Sequence, residues 1–560
     1  MKLRGDARDV YKRIRGMIER EIKLEEAKKF LDRIEPTSDK LEILRRQEYF
    51  KKSFSSVKEE LEDFLLKVKP IKFRREFLDD RVLIVSEDEV EEAEKLNLCI
   101  VSTEPIEGYD IVLSTIGYGI EVELKPYEIA PELYVKPLWE NRGVLEALAN
   151  VFPNGVSRKI LERLNELEDV FKRLKTLENL EERIRELEIE LNRKIEEKLE
   201  DFKLTLSGRE LVEFIRALRS GDIEVVLSKF SALNDEILDE IKKTEEELSK
   251  ELGIDVEVFP RDYPIEVPPE VVESLRKSVE RELKLELYLK SREVLEDILP
   301  YLPKLKEEIE KAYELEFIIA LKRFSKGFTF PKIEEGGIGF VKGKNLFIEN
   351  PQPVSYFVGK AREPFAGVKG SRVVILTGAN SGGKTSLLEL MLQIVVLAHM
   401  GLPVPAENAW VDVLNEVFFF KKKRSSYGAG AFEGSLKGIV RSLRGKGKKL
   451  ILIDEFEAIT EPGAAVKILA ELLKVGISKG FYIVIVSHLG EDLMKELPEA
   501  RVDGIEASGL DENLNLIVDR QPKFGIIGRS TPELILERLA RKGRGEERDI
   551  LLKVLRKLKK

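Results

Sequence analysis

The sequence contains a single cysteine, Cys99, and only two histidines, His399 and His488. One thiol and two imidazoles cannot build a disulfide framework, and they are too few for a Cys/His zinc site within one chain. Cys99 lies in an apolar run and is interpreted as a core residue. Disulfide-rich and zinc-finger proteins are therefore excluded.

Long hydrophobic runs are also missing. No stretch reaches the length of about 20 apolar residues that a membrane-spanning helix needs, and no apolar segment follows Met1–Asp6. We therefore expect a cytoplasmic protein with no membrane partner. Hydrophobic residues make up 43% and charged residues 36% of the 560 positions, a balance typical of a globular chain with long solvated helices.

A net positive charge is absent as well, because the formal net charge is -9. A uniformly basic nucleic-acid-binding protein is thereby excluded, so any contact with DNA must come from local patches. Positive charge is concentrated in three runs, Lys421–Arg424, Arg444–Lys449 and Arg538–Lys560. A solvated face is the simpler interpretation of each run taken alone.

The apolar pattern changes along the first third of the chain. Residues up to Pro70 have helical periodicity, and a new helix is predicted to begin after the turn at Glu35–Asp39, with a serine or aspartate cap. A small α/β insert is predicted next, with a helix at Glu87–Leu96. Its short buried strands are predicted at Val82–Val85, Leu98–Val101 and Ile111–Leu113.

A long amphipathic helix is predicted between Ile160 and Phe202, where apolar residues recur every three or four positions. At 1.5 Å per residue it would be about 60 Å long and would need a partner along its length. A second long pattern, Val271–Phe324, follows a proline-rich break at Pro260–Pro269. An intramolecular antiparallel arm is favoured over an intermolecular coiled coil, and a plain helical spacer is the alternative.

The segment Gly378-Ala379-Asn380-Ser381-Gly382-Gly383-Lys384-Thr385 has the spacing of a phosphate-binding loop. It follows the apolar strand pattern Arg372–Thr377 and precedes the helical pattern Ser386–His399, the order that such a loop requires. Backbone N–H groups of the loop and of Ser386 would bind the phosphates of ATP. Lys384 would contact the β- and γ-phosphates, and Thr385 would bind Mg²⁺.

Two further apolar strands end in polar residues that complete the predicted site. Lys449–Ile453 leads into Asp454 and Glu455, and a strand ending at Val486 leads into Ser487 and His488. Parallel strands bring their carboxyl ends to one edge of a sheet.

The predicted activity is hydrolysis of ATP, with Lys384, Glu455 and His488 as the catalytic residues. Asp454 is assigned to Mg²⁺ and Glu455 to the attacking water. His488 is assigned to the γ-phosphate or the same water, and His399 is interpreted as packing.

These motifs resemble the ATPase domain of the MutS family. The residues that carry the resemblance are the phosphate loop, Gly401–Ala406, Asp454-Glu455 with Thr460–Pro462, and Ser487-His488. Asn380 in the loop and Pro405-Ala406 after its helix are more specific than a generic phosphate loop. The resemblance is strong after Gly336. Before Gly336 it is limited to the architecture, since long helices that form a lever and a clamp precede the ATPase domain in the family too.

The chain resembles in particular the archaeal branch related to the second bacterial MutS paralogue, because no mismatch-reading domain precedes the helical region. The resemblance implies a homodimer with ATP between two ATPase domains and a clamp on branched or distorted duplex DNA, in repair or recombination.

Bacterial relatives often carry an Smr nuclease domain, for which the residues after Gly528 are too few, so nuclease activity is not expected. A ribosome- or RNA-associated ATPase is the alternative. An SMC-type ATPase is disfavoured, because a Leu-Ser-Gly-Gly signature is missing between Lys384 and Asp454.

Two details of the nucleotide site stay open in the sequence. Where the family has a Ser-Thr-Phe signature that contacts the partner's γ-phosphate, this chain has Gly428–Ser435, whose backbone N–H groups or Ser435 hydroxyl would substitute. Phe357 and Phe365 are both candidates for stacking on adenine.

The predicted fold class is an α/β P-loop ATPase domain of the ABC type, preceded by a long all-α lever and coiled-coil region with a small α/β insert. The predicted domains are a helical amino-terminal part (1–75), the α/β insert (76–135), a helical lever with an antiparallel arm (136–335), the ATPase domain (336–530) and a basic helical tail (531–560).

Overall fold

The computed structural model describes residues 1–560 except 204, 229, 379–382, 422–428, 456–461, 511–515, 529–531 and 559–560. The chain divides into two compact units. The first unit comprises Met1–Glu62 and Tyr313–Lys560, and the second comprises Asp63–Ala312.

The strands are β1 (Lys2–Gly5), β2 (Arg81–Ile84), β3 (Ile100–Ser102), β4 (Ile111–Ser114), β5 (Ile120–Glu121), β6 (Lys332–Ile333), β7 (Gly337–Gly343), β8 (Val354–Gly359), β9 (Val373–Gly378), β10 (Asn408–Val411), β11 (Glu416–Phe420), β12 (Lys449–Asp454), β13 (Tyr482–Val486), β14 (Arg501–Ile505), β15 (Ala507–Leu510), β16 (Leu516–Val518) and β17 (Lys523–Phe524).

The α-helices are α1 (Ala7–Glu21), α2 (Lys40–Ser56), α3 (Glu62–Leu65), α4 (Val90–Leu96), α5 (Pro126–Ile129), α6 (Glu132–Glu140), α7 (Arg142–Val151), α8 (Val156–Leu164), α9 (Glu168–Glu178), α10 (Leu180–Asp201), α11 (Gly208–Ser220), α12 (Ile223–Ser228), α13 (Ser231–Leu252), α14 (Pro269–Ile298), α15 (Leu302–Phe324), α16 (Lys384–Met400), α17 (Ala429–Ser442), α18 (Pro462–Ser478), α19 (Gly490–Glu496), α20 (Pro532–Lys542) and α21 (Glu546–Leu558). Short 3-10 helices span Glu25–Ile34, Glu59–Leu61, Asn165–Leu167 and Leu299–Tyr301. Within the described part of the chain, no helix combines the length and the apolar character that crossing a membrane requires.

The first unit is built on a seven-stranded sheet with the order β1-β11-β12-β13-β9-β14-β17. Its strands run parallel except β17. All residues of β9, β12 and β13 are buried, as expected for parallel strands covered on both faces. The strands predicted before the phosphate loop, before Asp454 and before Ser487 are confirmed. A second sheet with the order β6-β10-β7-β8 belongs to the same unit.

The amino-terminal residues form a strand that the sequence did not predict. β1 pairs in parallel with β11, from Lys2 opposite Glu416 to Gly5 opposite Phe419. Such a short polar segment has no apolar pattern of its own, so only the open edge of β11 makes it a strand. Gly5 ends it with φ 60°, and a Cβ there would lie 2.5 Å from the Phe419 carbonyl oxygen.

The helix predicted after Glu35–Asp39 is confirmed as α2. The Asp39 carboxylate accepts hydrogen bonds from the backbone N–H groups of Leu41 at 2.9 Å and Glu42 at 3.4 Å. This is the geometry of an amino-terminal cap, which satisfies donors that lack a partner inside the helix.

The second unit contains a four-stranded parallel sheet with the order β3-β2-β4-β5. The three strands and the helix α4 predicted for this α/β insert are confirmed. Cys99 is a core residue, as predicted, with 6% of its surface exposed. Burial raises the pKa of its thiol to about 11, so the sulfur stays protonated.

The single long helix predicted between Ile160 and Phe202 is wrong, although most of its apolar stripe is buried. The segment forms α8, a 3-10 turn, α9 and α10, with a second break at Asn179. The Asn179 side-chain amide donates to the Lys175 carbonyl at 3.1 Å. Asparagine competes in this way with helical hydrogen bonding, and the apolar spacing does not register such breaks.

The chief partner of α10 is α13, which lies before the second long pattern in the sequence. The pair is antiparallel. Arg183 near the start of α10 contacts Glu251 near the end of α13. At the other end, Lys198 near the end of α10 lies 3.6 Å from Glu236 near the start of α13. The predicted Val271–Phe324 pattern forms α14 and α15, and α14 contributes to the same core.

His399 is buried in α16 and serves packing, as predicted. Its Nδ1 lies 2.7 Å from the Val395 carbonyl oxygen, and its Nε2 accepts the Leu414 N–H at 2.9 Å. These contacts assign the proton to Nδ1. Burial lowers the pKa of His399 to about 4, because the charged imidazolium would lose its hydration.

Replacing His399 with glutamine is expected to reduce the acid sensitivity of the fold. The pKa of His399 is about 4 in the folded chain and about 6.5 when unfolded. The unfolded chain therefore takes up the proton first, and stability is lost as pH falls from about 6.5 towards 4. At pH 4.5 the wild-type chain should lose roughly 2 to 3 kcal/mol more than His399→Gln. Denaturant titrations at pH 7 and 4.5 measure this, with His488→Gln as the control; equal losses in wild type and His399→Gln would contradict it.

Candidate active site

The three strand ends that carry the predicted site residues are neighbours in the sheet. Strands β12, β13 and β9 run parallel in that order, with Asp454 opposite Val486 and Val486 opposite Leu376. This register brings the residues that follow the three strands to one edge. The edge therefore collects the phosphate-loop boundary, Glu455 and His488.

Two glycines bound the phosphate loop, whose residues 379–382, Ala379, Asn380, Ser381 and Gly382, lie outside the described residues. Gly378 ends β9 with φ 123°, and Gly383 precedes α16 with φ 84°. Other residue types rarely adopt either conformation. A Cβ on Gly378 would lie only 2.0 Å from the Ile505 carbonyl oxygen, so the loop departs where no side chain fits.

The first turn of α16 carries Lys384, Thr385 and Ser386. Lys384 is 4% exposed, and its ammonium group donates to the Gly378 carbonyl at 2.7 Å. The Ser386 carbonyl accepts the Asn345 side-chain amide at 2.8 Å. A buried ammonium group at the amino end of this helix creates a strongly positive site where anions are stabilised.

Thr385 and Asp454 meet beside the loop. The Thr385 hydroxyl donates to Asp454 Oδ2 at 2.8 Å. Asp454 Oδ1 is buried and has no hydrogen-bond partner in the described part of the chain. Burial raises the pKa of Asp454, and this effect outweighs the hydrogen bond from Thr385, which lowers the pKa.

These donors fit a hard divalent cation. A hydroxyl oxygen and a carboxylate with one unsatisfied buried oxygen are ligands that Mg²⁺ prefers. A cation there would compensate the charge of Asp454 where water does not reach it.

Glu455 and His488 lie next to this pair. Glu455 Oε1 is 3.4 Å from His488 Nε2, with the histidine side chain 38% exposed and the glutamate side chain 12% exposed. Glu455 adopts φ 49°, a left-handed conformation that costs a non-glycine residue about 1 to 2 kcal/mol. The conformation is fixed by the Glu455 N–H, which donates to the Val486 carbonyl at 3.2 Å, and it turns the carboxylate towards His488.

Several residues on which the resemblance to the MutS family was based lie outside the described residues. These are Gly428, Thr460 and Glu461, together with Lys422, Lys423 and Arg424 of the first basic run. The segment from Ala429 onward begins α17. The contact of Gly428–Ser435 with a partner's γ-phosphate stays a prediction.

Neither aromatic residue considered for adenine is accessible. Phe357 and Phe365 are 0% and 5% exposed, and their rings stack at a centroid distance of 4.8 Å. Both pack in a cluster with Phe524 and Trp410. The candidate stacking role is therefore wrong for both residues, because packing against other aromatic rings takes up their faces.

A small recess lies beside the first turn of α16 instead. Ile348, Gln352, Gly383, Leu387 and Arg520 contribute to its lining. The Gln352 side chain fixes one wall, because its oxygen accepts the Arg520 N–H at 3.2 Å. No motif in the sequence joined these residues, since Arg520 is distant in the chain.

Asp6 is a further residue near the site that the sequence did not indicate, and Lys421, which the sequence indicated only as part of a basic run, contacts it. The Lys421 N–H donates to Asp6 Oδ2, and the Lys421 ammonium group donates to Glu389 of α16, both at 2.7 Å. Lys421 is thus an internal link between β1, β11 and the phosphate-loop helix.

Two of the four cations of the second basic run are also paired within the unit. Lys448 contacts Asp412 at 2.9 Å, and the buried Lys449 contacts Glu416 at 2.9 Å. These cations stabilise the fold and are not a free strip for an anionic partner.

Comparison with known proteins gives matches of two kinds. The chain is 67% identical over 562 residues to the protein called DNA-binding protein MutS2 of Pyrococcus furiosus, and the match spans 100% of both chains. Proteins called Endonuclease MutS2 are 27% identical over 270 residues in Clostridium botulinum and 25% over 265 residues in Clostridium kluyveri. The chain spans only 33% and 31% of the length of these two. No family model matches the chain.

Replacing Gly378 with alanine is expected to destabilise the first unit. The added Cβ would overlap the Ile505 carbonyl at 2.0 Å, and φ 123° disfavours any side chain. We expect a loss of at least about 2 kcal/mol in the free energy of unfolding, measured by denaturant titration. The control is Gly16→Ala in α1, where no atom lies within 4 Å of the new Cβ; it should stabilise by about 0.5 to 1 kcal/mol. Equal stability of Gly378→Ala and wild type would contradict the geometry.

Proposed function

The chain belongs to the MutS2 family, since a MutS2 protein is 67% identical along its whole length, and from this premise we propose that it is a DNA-binding ATPase. One observation carries the proposal. At a single sheet edge, Thr385 lies 2.8 Å from Asp454 and Glu455 lies 3.4 Å from His488, next to the buried Lys384. These are the groups that hydrolysis of a triphosphate needs within reach of one another.

Each side chain has a distinct role in the proposed reaction. Lys384 binds the β- and γ-phosphates, and backbone N–H groups from Gly378 to Ser386 surround them. Thr385 and Asp454 would hold Mg²⁺, which would supply positive charge to stabilise the phosphates. Glu455 orients or deprotonates the attacking water, and His488 contacts that water or the γ-phosphate.

The recess beside α16 is proposed to take the nucleoside. It adjoins Gly383, where the phosphate loop enters the helix. Ile348 and Leu387 offer apolar surface to a base, and Arg520 offers a planar cation that can stack on it.

The first unit is proposed to contain an ATPase domain of the ABC type, and the second unit to contain the small α/β insert, the arm and most of the lever. Of the five proposed ranges, 336–530 and 531–560 lie in the first unit and 76–135 lies in the second, whereas 1–75 and 136–335 are divided between the two units. The parallel sheet with its phosphate loop supports the first assignment, and the antiparallel pair α10 and α13 supports the second.

DNA is proposed as the partner, because the full-length relative from Pyrococcus furiosus is named a DNA-binding protein. We propose a homodimer that clamps branched or distorted duplex DNA, with ATP controlling the clamp. Recognition is by phosphates and DNA shape. Absence of nuclease activity stays a prediction, since the clostridial relatives named endonucleases match over about one third of their length.

Replacing Glu455 with glutamine should abolish turnover and keep nucleotide binding. The amide retains the shape of the carboxylate but cannot accept a proton, so the rate should fall about 10² to 10⁴-fold. Phosphate release measures turnover, and titration with a fluorescent ATP analogue measures binding. Glu499→Gln, an exposed position of the same unit, is the matched control. Hydrolysis at the wild-type rate in Glu455→Gln would refute the role given to this carboxylate.

Affinity for a four-way DNA junction should fall steeply with salt. In a plot of the logarithm of the binding constant against the logarithm of the salt concentration, each neutralised phosphate contributes about -0.9 to the slope. Several phosphate contacts therefore give a slope of about -3 or steeper. Fluorescence anisotropy between 50 and 200 mM salt, with and without ATP, measures it. Nucleotide binding in the same buffers is the control for an intact protein. A salt-independent affinity would exclude recognition through phosphates.

A further inference from the structure

The second unit carries an exposed basic segment that the proposed ATP site does not use. Residues 67–77, the basic ribbon, lie between α3 and β2 and form neither helix nor strand. Their sequence is Lys-Val-Lys-Pro-Ile-Lys-Phe-Arg-Arg-Glu-Phe. The ribbon differs from Lys421, Lys448 and Lys449 of the basic runs in the first unit, which are ion-paired.

The ribbon concentrates positive charge in a chain that is acidic as a whole. Its cations, all of them exposed, are Lys67, Lys69, Lys72, Arg74 and Arg75. Glu76 is the only carboxylate in the ribbon. Within the described part of the chain, no acidic side chain forms an ion pair with the four cations after Lys67. A cluster of free cations attracts an anionic partner.

Two phenylalanines are interleaved with these cations. Phe73 and Phe77 are 46% and 51% exposed, and no other phenylalanine among the described residues is as open to solvent. The chain has 27 phenylalanines, so exposure of both within five residues is a local feature. The Phe73 ring lies 6.2 Å from the Tyr134 ring, so part of its surface is buried, but about half of each phenylalanine remains open to solvent. That exposed apolar surface gains nothing from the hydrophobic effect, which acts only on buried surface.

The ends of the ribbon are fixed while its middle faces solvent. Val68 is 0% exposed, and the Leu78 N–H donates to the Leu98 carbonyl at 2.7 Å. Leu78 also packs against the core of the α/β insert. Between these anchors, the described residues make no backbone hydrogen bond with residues 69–77. The ribbon therefore presents side chains and backbone from a defined position.

We propose that the basic ribbon binds single-stranded nucleic acid, with the phosphates on its cations and the bases on Phe73 and Phe77. Single-strand-binding surfaces combine these two features, because unpaired bases have free faces on which aromatic rings stack. A duplex has no free base faces within its length, so phosphate contacts alone would leave the exposed surfaces of Phe73 and Phe77 without a partner. The four residue steps from Phe73 to Phe77 span about 13 Å when the chain is extended, enough for neighbouring nucleotides of a strand.

The proposal deepens the proposed DNA binding and rests on it for the class of ligand. Branched DNA exposes unpaired strands where duplexes join, and the ribbon would hold such a strand. DNA and RNA single strands share the chemistry that the ribbon recognises. An acidic peptide would match the cations but would gain no specific contact from the two rings.

The test uses the full-length protein without nucleotide and three labelled probes in fluorescence anisotropy. The probes are a 15-nucleotide oligo-dT, an oligo-rU of the same length and a four-way junction with fully paired arms. The double variant Phe73→Ala/Phe77→Ala should weaken binding of the single strands at least about 10-fold and change junction affinity much less. The variant Lys72→Gln/Arg74→Gln should flatten the salt slope for oligo-dT by about 1 to 1.5, since each phosphate contributes about -0.7.

Matched controls lie in the same unit. Tyr118→Ala removes an aromatic side chain that is 63% exposed and has no cation beside it in sequence. Lys304→Gln/Lys306→Gln removes two exposed cations next to Glu307. Both controls should bind the single strands as wild type does. That result would show that the weaker binding of the ribbon variants does not follow from losing an arbitrary aromatic ring or an arbitrary pair of cations.

The outcomes separate this inference from the proposed function. Junction binding by wild type without binding of either single strand would overturn the ribbon proposal and leave the proposed function intact. Single-strand affinity unchanged by Phe73→Ala/Phe77→Ala would also overturn it. Loss of binding to all three probes in wild type would refute both. Binding of oligo-dT alone, oligo-rU alone or both, with loss in the phenylalanine variant, supports the ribbon and identifies its strand.

Discussion

The parallel register of three buried strands is the constraint on which the candidate active site depends. Strands β12, β13 and β9 are apolar along their whole length, so they lie side by side in the centre of the sheet. Polar residues can follow only where these strands end. The register therefore brings Asp454, Glu455 and His488 to the phosphate loop, although about 70 to 110 residues separate them from it in the chain. A shift of one strand would move its polar end away and leave the buried Asp454 without Thr385.

The parts of the fold that the sequence predicted are those with a strong local signal. The strand before Gly378, the helix predicted over Ser386–His399 and the strands before Asp454 and Ser487 each combine an apolar run with a glycine or carboxylate boundary. The Asp39 cap and the strands of the α/β insert are of the same kind. The MutS family was identified from the phosphate loop and the residues around Asp454 and His488, and it is confirmed by the full-length match.

The parts that the sequence missed depend on contacts between distant residues. β1 exists because β11 has an open edge, and Lys2–Gly5 has no strand pattern by itself. The break at Asn179 comes from one side chain that bonds to its own helix, which apolar spacing does not detect. Phe357 and Phe365 were predicted as candidates for stacking on adenine because exposure cannot be read from a sequence. In the structure their rings are buried in an aromatic cluster. The basic ribbon was overlooked for the same reason.

If one divalent cation and one triphosphate share the edge formed by these three strands, a metal bound there should sense the phosphates. Electron paramagnetic resonance with Mn²⁺ and a non-hydrolysable ATP analogue measures this, because the metal reports its own ligands. We expect one nucleotide-dependent Mn²⁺ per chain with phosphorus couplings, and its affinity should fall sharply in Asp454→Asn. Mn²⁺ bound equally well in Asp454→Asn, or bound without phosphorus couplings, would contradict the shared site.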